Sequence, residues 1–440
     1  MTHNELLDLG NWVIKAAKSK GNVECKVSVQ KYREVEIKYR QKKPEIIKEA
    51  INKDLTLDLY VDGKYSSQST PDLRKSALES FIDRSYQNTK YIEEDPYRTL
   101  TDSKLYREIE KELNIHDPKL KDLPIEKRHE IAKTIEALCL EKGGDKVISV
   151  ESSISDTQAE SVLLTSNGFK GERQTSYISS YTMLTLQDEG DRRPNTYGYY
   201  GTRHINDLPS AEYIAKKVIE SGNNLLGAKK LPTEKLPIII ENKSVGRVLS
   251  GFTSALNGRS IQQKRSFLSD KKGQSVASKL LTIIDDPFIE KGVGSRLYDY
   301  DGLPAKKFNL LSEGTVENFY YNWYYSRKLN AEPTTGGSSN LIIPPGDKSI
   351  EELMKSIGRG ILITDFIGGN SNSTTGDFSV GVSGLLFENG KPVLAIAEMN
   401  MADNHLEFWN KLTAVGNDTW KYSSWRLPSL VFDDVVIAGI

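Results

Sequence analysis

The chain has 440 residues, of which 38% are hydrophobic and 27% charged, which excludes a disordered or fibrous chain and gives enough apolar material for two or three cores. Lys plus Arg number 59 against 60 for Asp plus Glu, so no net field draws the molecule to nucleic acid or to an anionic bilayer, and neither is expected as a partner. Two cysteines, Cys25 and Cys139, exclude a disulfide framework.

Residues 1–21 carry Glu5 and Asp8 and lack the basic and apolar regions of a secretory leader. Runs such as 236–240 and 393–397 are far short of the ~20 residues of a spanning helix, so the expected setting is cytoplasmic.

In chain order, Leu6, Leu7, Leu9, Trp12, Val13 and Ala16 recur at three- and four-residue steps and predict a helix ending by Gly21. Apolar and polar residues alternate at 25–29 and 34–39, as in half-buried strands. Residues 55–60 and 64–67 flank Val61-Asp62-Gly63, where the Asp-Gly pair favours positive φ and hence a hairpin. A helix is expected at 72–87. Residues 91–124 mix acidic and basic side chains with Pro96, Pro118 and Pro124, and show little periodicity beyond a short amphipathic piece near 105–113, which places a boundary near residue 95.

Residues 126–141 restore helical spacing through Ile131, Ile135 and Leu138, new strands begin at 147–150, and 161–186 read as a long hairpin with Asn167-Gly168 at its tip. Residues 211–221 are helical again. The polar, proline-bearing connector at 228–237 marks a second boundary. Beyond it come Ile238, Ile239 and Ile240, a helix at 244–255, strands at 307–311 and 316–321, and a helix at 350–357. The end is most strongly β: Phe378, Val380, Val382, 385–387, a turn at Asn389-Gly390, 392–397, and apolar runs at 430–432 and 435–437. The expectation is an α+β fold of mixed helices and antiparallel sheets. Its parts are an N-terminal α+β domain (1–95), a central α+β region (96–230) and a β-rich C-terminal domain (231–440).

Local patterns for catalysis are incomplete. The histidines His3, His116, His129, His204 and His405 are too far apart for one helix turn to put two on a metal, and read as surface or partly buried residues. Ser383 lacks the second glycine spacing of a nucleophile elbow, and Cys139 lies among helix apolars as packing. Gly292-Val293-Gly294 has no third glycine, and 368–376 has no Gly-Lys-Ser/Thr. The carboxylate pairs Asp285/Asp286, Asp299/Asp301 and Asp433/Asp434 read as solvated turn residues. For the aromatic run at 318–328, core packing ranks ahead of an interface and of base stacking.

Several stretches, in order, resemble the TldD/PmbA family over nearly the whole chain. Residues 59–73 are similar to its N-terminal hairpin and helix, and Tyr-Asp-Tyr-Asp-Gly-Leu-Pro at 298–304 to its glycine-proline turn. The strongest match is Thr-Gly-Asp-Phe-Ser-Val-Gly-Val-Ser-Gly at 375–384 with Glu388-Asn389-Gly390, Val415-Gly416-Asn417-Asp418 and Pro428-Ser429-Leu430. TldD-type members of that family carry His-Glu-x-x-x-His at the start of the C-terminal domain and a later cysteine as third ligand. Here Asn242 and Arg247 stand where the histidines would be and Lys243 where the glutamate would be. A guanidinium does not ligate a cation and an ammonium repels one. No cysteine follows Cys139, and Ser423 and Ser424 are the nearest residues in that region.

The resemblance implies a PmbA/TldE-type subunit, of the kind also called a modulator of DNA gyrase, with no cofactor of its own and no catalytic residue. It implies a TldD-type metalloprotease subunit as partner, holding a metal expected to be zinc, in a cytosolic complex that degrades peptides and matures peptide-antibiotic precursors. Gly336, Gly337 and Ser338, with Gly368, Gly369 and Gly376, are then candidates to line a peptide groove; tight turns or dimer contacts are an equal reading. Two further classes stay open: a stand-alone peptide-binding or regulatory homodimer acting on a gyrase or toxin-antitoxin system, and an enzyme with a metal-free site.

Overall fold

In the computed structural model, which describes residues 1–439, the fold is α+β, with 25% of residues helical and 39% in strands. α1 (His3–Lys18) starts at a capping box in which Thr2 and Glu5 satisfy each other's backbone N–H groups, and it buries Leu6, Leu9, Val13 and Ala17. β1 (Val23–Arg40), β2 (Lys43–Val61) and β3 (Lys64–Thr70) follow as two tight hairpins, then α2 (Lys75–Thr89). An extended link leads to α3 (Ile125–Lys142), β4 (Val147–Thr165), β5 (Lys170–Leu186), β6 (Asn195–Thr202) and α4 (Ala211–Asn223). These strands form one antiparallel sheet ordered β3-β2-β1-β4-β5-β6, so β1 joins strands from either side of residue 95.

Alternation gives the sheet two unlike faces. On one, Val27, Val29, Leu55 and Leu57 pack with α1 and α2, and Val35, Ile37, Ile154 and Ile178 with α3 and α4. Each such burial contributes ~1.5–3 kcal/mol. The other face carries Lys26, Gln30, Lys38, Glu151, Tyr181 and Tyr197.

The second half runs β7 (Glu234–Ile240), α5 (Asn242–Ser254), α6 (Gly258–Gln262), β8 (Ile283–Asp285), β9 (Phe308–Ser312), β10 (Thr315–Val316), α7 (Trp323–Lys328), β11 (Leu341–Ile342) and α8 (Ile350–Ile357). It continues with β12 (Arg359–Ser371), β13 (Asp377–Glu388), β14 (Lys391–Asn404), α9 (His405–Phe408), β15 (Leu412–Val415), β16 (Trp425–Arg426) and β17 (Leu430–Ala438). The main sheet is ordered β14-β13-β12-β7-β17-β15, and β14 also pairs with β17, so five strands close on themselves. Ile238, Ile240, Val382, Met401 and Phe432 share the largest core with Val245, Leu249 and Phe252 of α5. Ile239, Phe387 and Val431 turn the other way, under Leu353 and Met354 of α8.

Several local expectations change. β2 begins at Lys43, a start hidden because the Gln41-Lys42 turn takes positive φ without glycine or asparagine. No helix forms at 105–113; Ser103–Leu105 is a single 3₁₀ turn, and the chain beyond it docks on β5, where Ser176 N–H donates to the Ile115 carbonyl. The strand expected at 316–321 pairs with β9 only at Thr315–Val316, with a single bridge from Tyr320 to Asn257; Phe319, Tyr320 and Tyr321 enter the core. The two apolar runs after residue 429 are one strand, bulged between Phe432 and Val435 with Asp434 at φ 58°. β7 runs parallel to β12, and β11 to β16, within otherwise antiparallel sheets.

The halves meet at the loop of residues 298–304. The Lys26 ammonium, 4% exposed, lies 3.1 Å from Asp58 Oδ2 and 3.4 Å from Asp301 Oδ1 and 3.7 Å from the centre of the Tyr300 ring. Asp299 Oδ1 accepts from the N–H groups of Asp301 and Leu303, while its Oδ2 is buried without a partner. Asp285 and Asp299 are thus buried, 1% and 8% exposed, rather than solvated turn residues. The aromatic run serves this joint too: Trp323 Nε1–H donates to Thr99 Oγ1 at 3.1 Å and the Tyr324 hydroxyl to Asp95 Oδ2 at 2.7 Å.

Burial, with the Asp301 charge beside it, pushes the Asp299 carboxyl up from 3.8 to about 6. The folded state therefore holds this proton more tightly than the unfolded chain. Its contribution is most favourable below pH 3.8 and is lost as pH rises through about 6, a swing on the order of 2–3 kcal/mol. Denaturant unfolding of wild type and Asp299→Asn at pH 4, 5, 6 and 7 should show the variant gaining on wild type as pH rises; parallel profiles would refute it.

Candidate functional site

β7 delivers three buried isoleucines between β12 and β17, and the chain turns at Glu241, the N-cap of α5. α5 buries Val245, Val248, Leu249 and Phe252, which leaves Asn242, Lys243 and Arg247 on its outer surface. This corner lies at the carboxyl end of the parallel β7/β12 pair.

The polar groups of Asn242 are all committed. Asn242 N–H donates to Ser429 Oγ at 3.0 Å, and its Nδ2 to the Asp418 carbonyl at 2.5 Å. Its Oδ1 accepts from Lys243 N–H at 2.6 Å. Asp418 in turn takes both the N–H and the hydroxyl of Ser429, at 2.9 and 2.7 Å. Asn242 is thus tied into one knot with Asp418 and Ser429, far along the chain, and it was the roles of Asp418 and Ser429 that sequence reasoning missed. Their only sequence signal is membership of the Val-Gly-Asn-Asp and Pro-Ser-Leu stretches.

Lys243 reaches across the corner, its Nζ 3.2 Å from Glu241 Oε2 and 3.4 Å from Ser221 Oγ at the end of α4. Glu241 keeps 27% of its side chain exposed, yet its dense surround pushes its carboxyl above the usual range, Lys243 opposing and Asp418 adding to the effect. Burial also raises Asp365 on β12, again opposed by Lys243. Asp365 lies close enough to Tyr197 to add to the burial that raises that phenol. Tyr197 and Tyr199 are exposed on β6; Tyr199 shares a 2.7 Å hydrogen bond with Tyr177, and Tyr197 stacks on Tyr181. The corner therefore lies near the tyrosine-bearing, polar face of the first sheet.

The glycine-rich stretches are not all here. Arg247 Nη2 donates to the Gly368 carbonyl at 2.6 Å, which ties α5 to a bulge where Gly368 and Gly369 have φ of 58° and 91°. Gly376 sits at the hairpin tip, donating to the Asn372 carbonyl and accepting from His405 N–H. Gly336, Gly337 and Ser338 form a separate loop, held through the carbonyls of Gly337 and Ser338 by Arg296. Gly294 is a packing glycine, since a Cβ there would meet the Ser339 carbonyl.

Two chemistries can be weighed on these residues. An amide engaged at both ends, an ammonium and a guanidinium do not fit a metal ion, and among the described residues no three His, Cys, Asp or Glu side chains converge as a metal site needs. Both thiols are buried in the first half and pushed up to about 12. The one close Ser/His pair along α5 is Ser371 Oγ and His405 Nε2, 3.0 Å apart. His405 is fully buried, not a surface histidine, and burial lowers it to about 4. Trp409 Nε1–H donates to its Nδ1, so Nε2 carries the proton and donates to Ser371. The ring cannot take a proton from that serine.

Residues 233–439 match the PmbA/TldA metallopeptidase C-terminal domain, and residues 118–226 its central domain. A crystallised protein from Bacteroides thetaiotaomicron, described as a modulator of DNA gyrase, is 36% identical, with a TM-score of 0.96 and 99% of each chain covered. The metalloprotease PmbA homologue of Buchnera aphidicola is 25% identical, over 99% of this chain and 98% of its own. TldE from Thermococcus kodakarensis shares the fold, with a TM-score of 0.87 at 19% identity, covering 98% of this chain and 100% of that one.

Arg247→Ala should release the Gly368 carbonyl at small global cost, about 1 kcal/mol, because the bond is exposed. Hydrogen exchange should quicken at 367–371 and stay unchanged in β7; unaltered exchange in the bulge would show that Arg247 does not hold it.

Proposed function

The chain belongs to the PmbA/TldD metallopeptidase family, and we propose that within it this chain is the metal-free, PmbA/TldE-type subunit that helps bind peptides while a TldD-type partner cuts them. The observation that carries this reading is the β7–α5 corner. Asn242, Lys243 and Arg247, which the resemblance sets at the positions of the metal-binding motif, are each committed to a structural contact. Two fixed cations there repel a metal ion instead of coordinating it.

The peptide side of the reading is supported by the backbone of β12 and the tyrosines of β6. The bulged end of β12 at Gly368 and Gly369 offers backbone groups beside an open edge, the arrangement that accepts an added strand. Across from it, Tyr197 and Tyr199 present flat apolar area with a hydroxyl, suited to varied side chains. In this role Arg247 sets the height of the bulge and Lys243 keeps Glu241 and Asp365 balanced; neither moves a proton. Gly336, Gly337 and Ser338, held by Arg296, are proposed as a contact for the partner subunit, and Gly376 as a tip residue of the wall.

The purified chain should contain no stoichiometric metal and cleave no peptide. Mixed with a TldD-type subunit from the same cell, it should give chelator-sensitive cleavage several-fold above that subunit alone. Stoichiometric metal in this chain, or cleavage by it alone, would overturn the reading; a tight homodimer indifferent to such a subunit would replace it with the stand-alone one.

A further inference from the structure

The extended link after α2 crosses the joint between the halves. There residues 92–98, with Tyr65 of β3 and Tyr324 and Lys328 of α7, line a cavity of about 560 Å³, a volume within the range of small-molecule sites.

Several polar groups of its wall satisfy one another. Asp95 accepts from the Tyr97 N–H at 3.1 Å and from the Tyr324 hydroxyl at 2.7 Å. Lys328 Nζ donates to that hydroxyl at 2.7 Å and lies 3.4 Å from Asp95 Oδ2. Three charged side chains are left over. The Arg98 guanidinium lies over the Tyr324 ring, its Cζ 3.6 Å from the ring centre, and over the Tyr65 ring at 4.6 Å; among the described residues it has neither a hydrogen-bond acceptor nor a carboxylate partner. Stacking holds the planar fork in place while its N–H donors stay unused, the form in which arginine takes a carboxylate through two parallel bonds. Glu93 and Glu94 also line the cavity, are exposed, and have no cation paired with them among the described residues.

Those charges select the ligand. Two carboxylates in the wall repel a phosphate dianion or a simple carboxylate, and attract a molecule that carries an ammonium beside its carboxylate. The apolar part of the wall comes from Pro96 and from Ile92 and Tyr97, which stay exposed despite their size. It offers contact to an aliphatic or aromatic side chain.

We propose that this cavity binds a free apolar α-amino acid, or a dipeptide of such residues, as the zwitterion, with the ligand's carboxylate on Arg98 and its ammonium at Glu93 and Glu94. Tyr65 belongs to the first half and Tyr324 to the second, so a ligand on Arg98 bears on the joint itself. No residue of the β7–α5 corner lines the cavity, and the proposal stands whether or not the metal-free reading does.

Calorimetric titration of the full chain with L-leucine, L-phenylalanine and leucyl-leucine should show saturable binding, the best of the three with a Kd of ~1 mM or tighter. Leucinamide, which lacks the carboxylate, isocaproate, which lacks the ammonium, and inorganic phosphate should each bind about tenfold more weakly or worse. Arg98→Lys keeps the charge without the fork and should weaken the best ligand about tenfold. The double variant Glu93→Gln with Glu94→Gln changes only exposed positions; it should keep the wild-type circular dichroism and weaken binding several-fold, so the test survives a folding defect at Arg98. Absence of saturable binding by all three zwitterions, isocaproate or phosphate binding as tightly as they do, or binding unchanged in either variant would overturn the proposal.

Discussion

The Lys26 ammonium lies inside the molecule, between Asp58 on the adjacent strand and Asp301 on a loop of the other half. Taking such a charge out of water is expensive unless its partners come with it, and removing one partner of a buried pair typically costs 3–5 kcal/mol. The loop therefore cannot drift from the first sheet without stranding the ammonium. Elsewhere along the joint, Trp420 and Tyr422 from the loop before β16 pack on Tyr200 of β6, and Gly201 N–H donates to the Tyr422 carbonyl. A buried charge at one place and an aromatic cluster at another hold the two halves together.

Between those anchors most of the polar side chains are held by contacts within the chain, and burial raises the carboxyls of Glu241 and Asp365. At the β7–α5 corner the amide of Asn242 is used at both ends, Lys243 is paired with Glu241, and Arg247 is tied to a backbone carbonyl. The groups that remain open are backbone edges and tyrosine faces.

How far the sequence revealed this depended on how local each feature is. α3 and the β4–β5 hairpin were legible because their burial is periodic and their turn carries Asn167-Gly168. The first half of β2 was not, because Lys43–Lys53 is polar on one face and exposed on the other, and the turn before it uses Gln41 and Lys42 in a conformation those residues rarely take. Residues 316–321 were over-read: their alternation reflects side chains entering a core from irregular backbone. At the site, the residues at 242, 243 and 247 could be singled out by resemblance, whereas the Asp418–Ser429–Asn242 knot could not. Contacts 176 and 187 residues apart along the chain leave no periodic trace.

The long first sheet also dictates an order of folding. β1 pairs along nearly its whole length with β4, which is made only after the α2 and α3 segments, so contacts of high sequence separation must wait. During that interval the β1–β2 ribbon has its inner edge open as well as its outer one, with apolar side chains along both. A nascent chain in that state is more prone to mispairing than the finished fold, and the docking of β4 closes the inner edge.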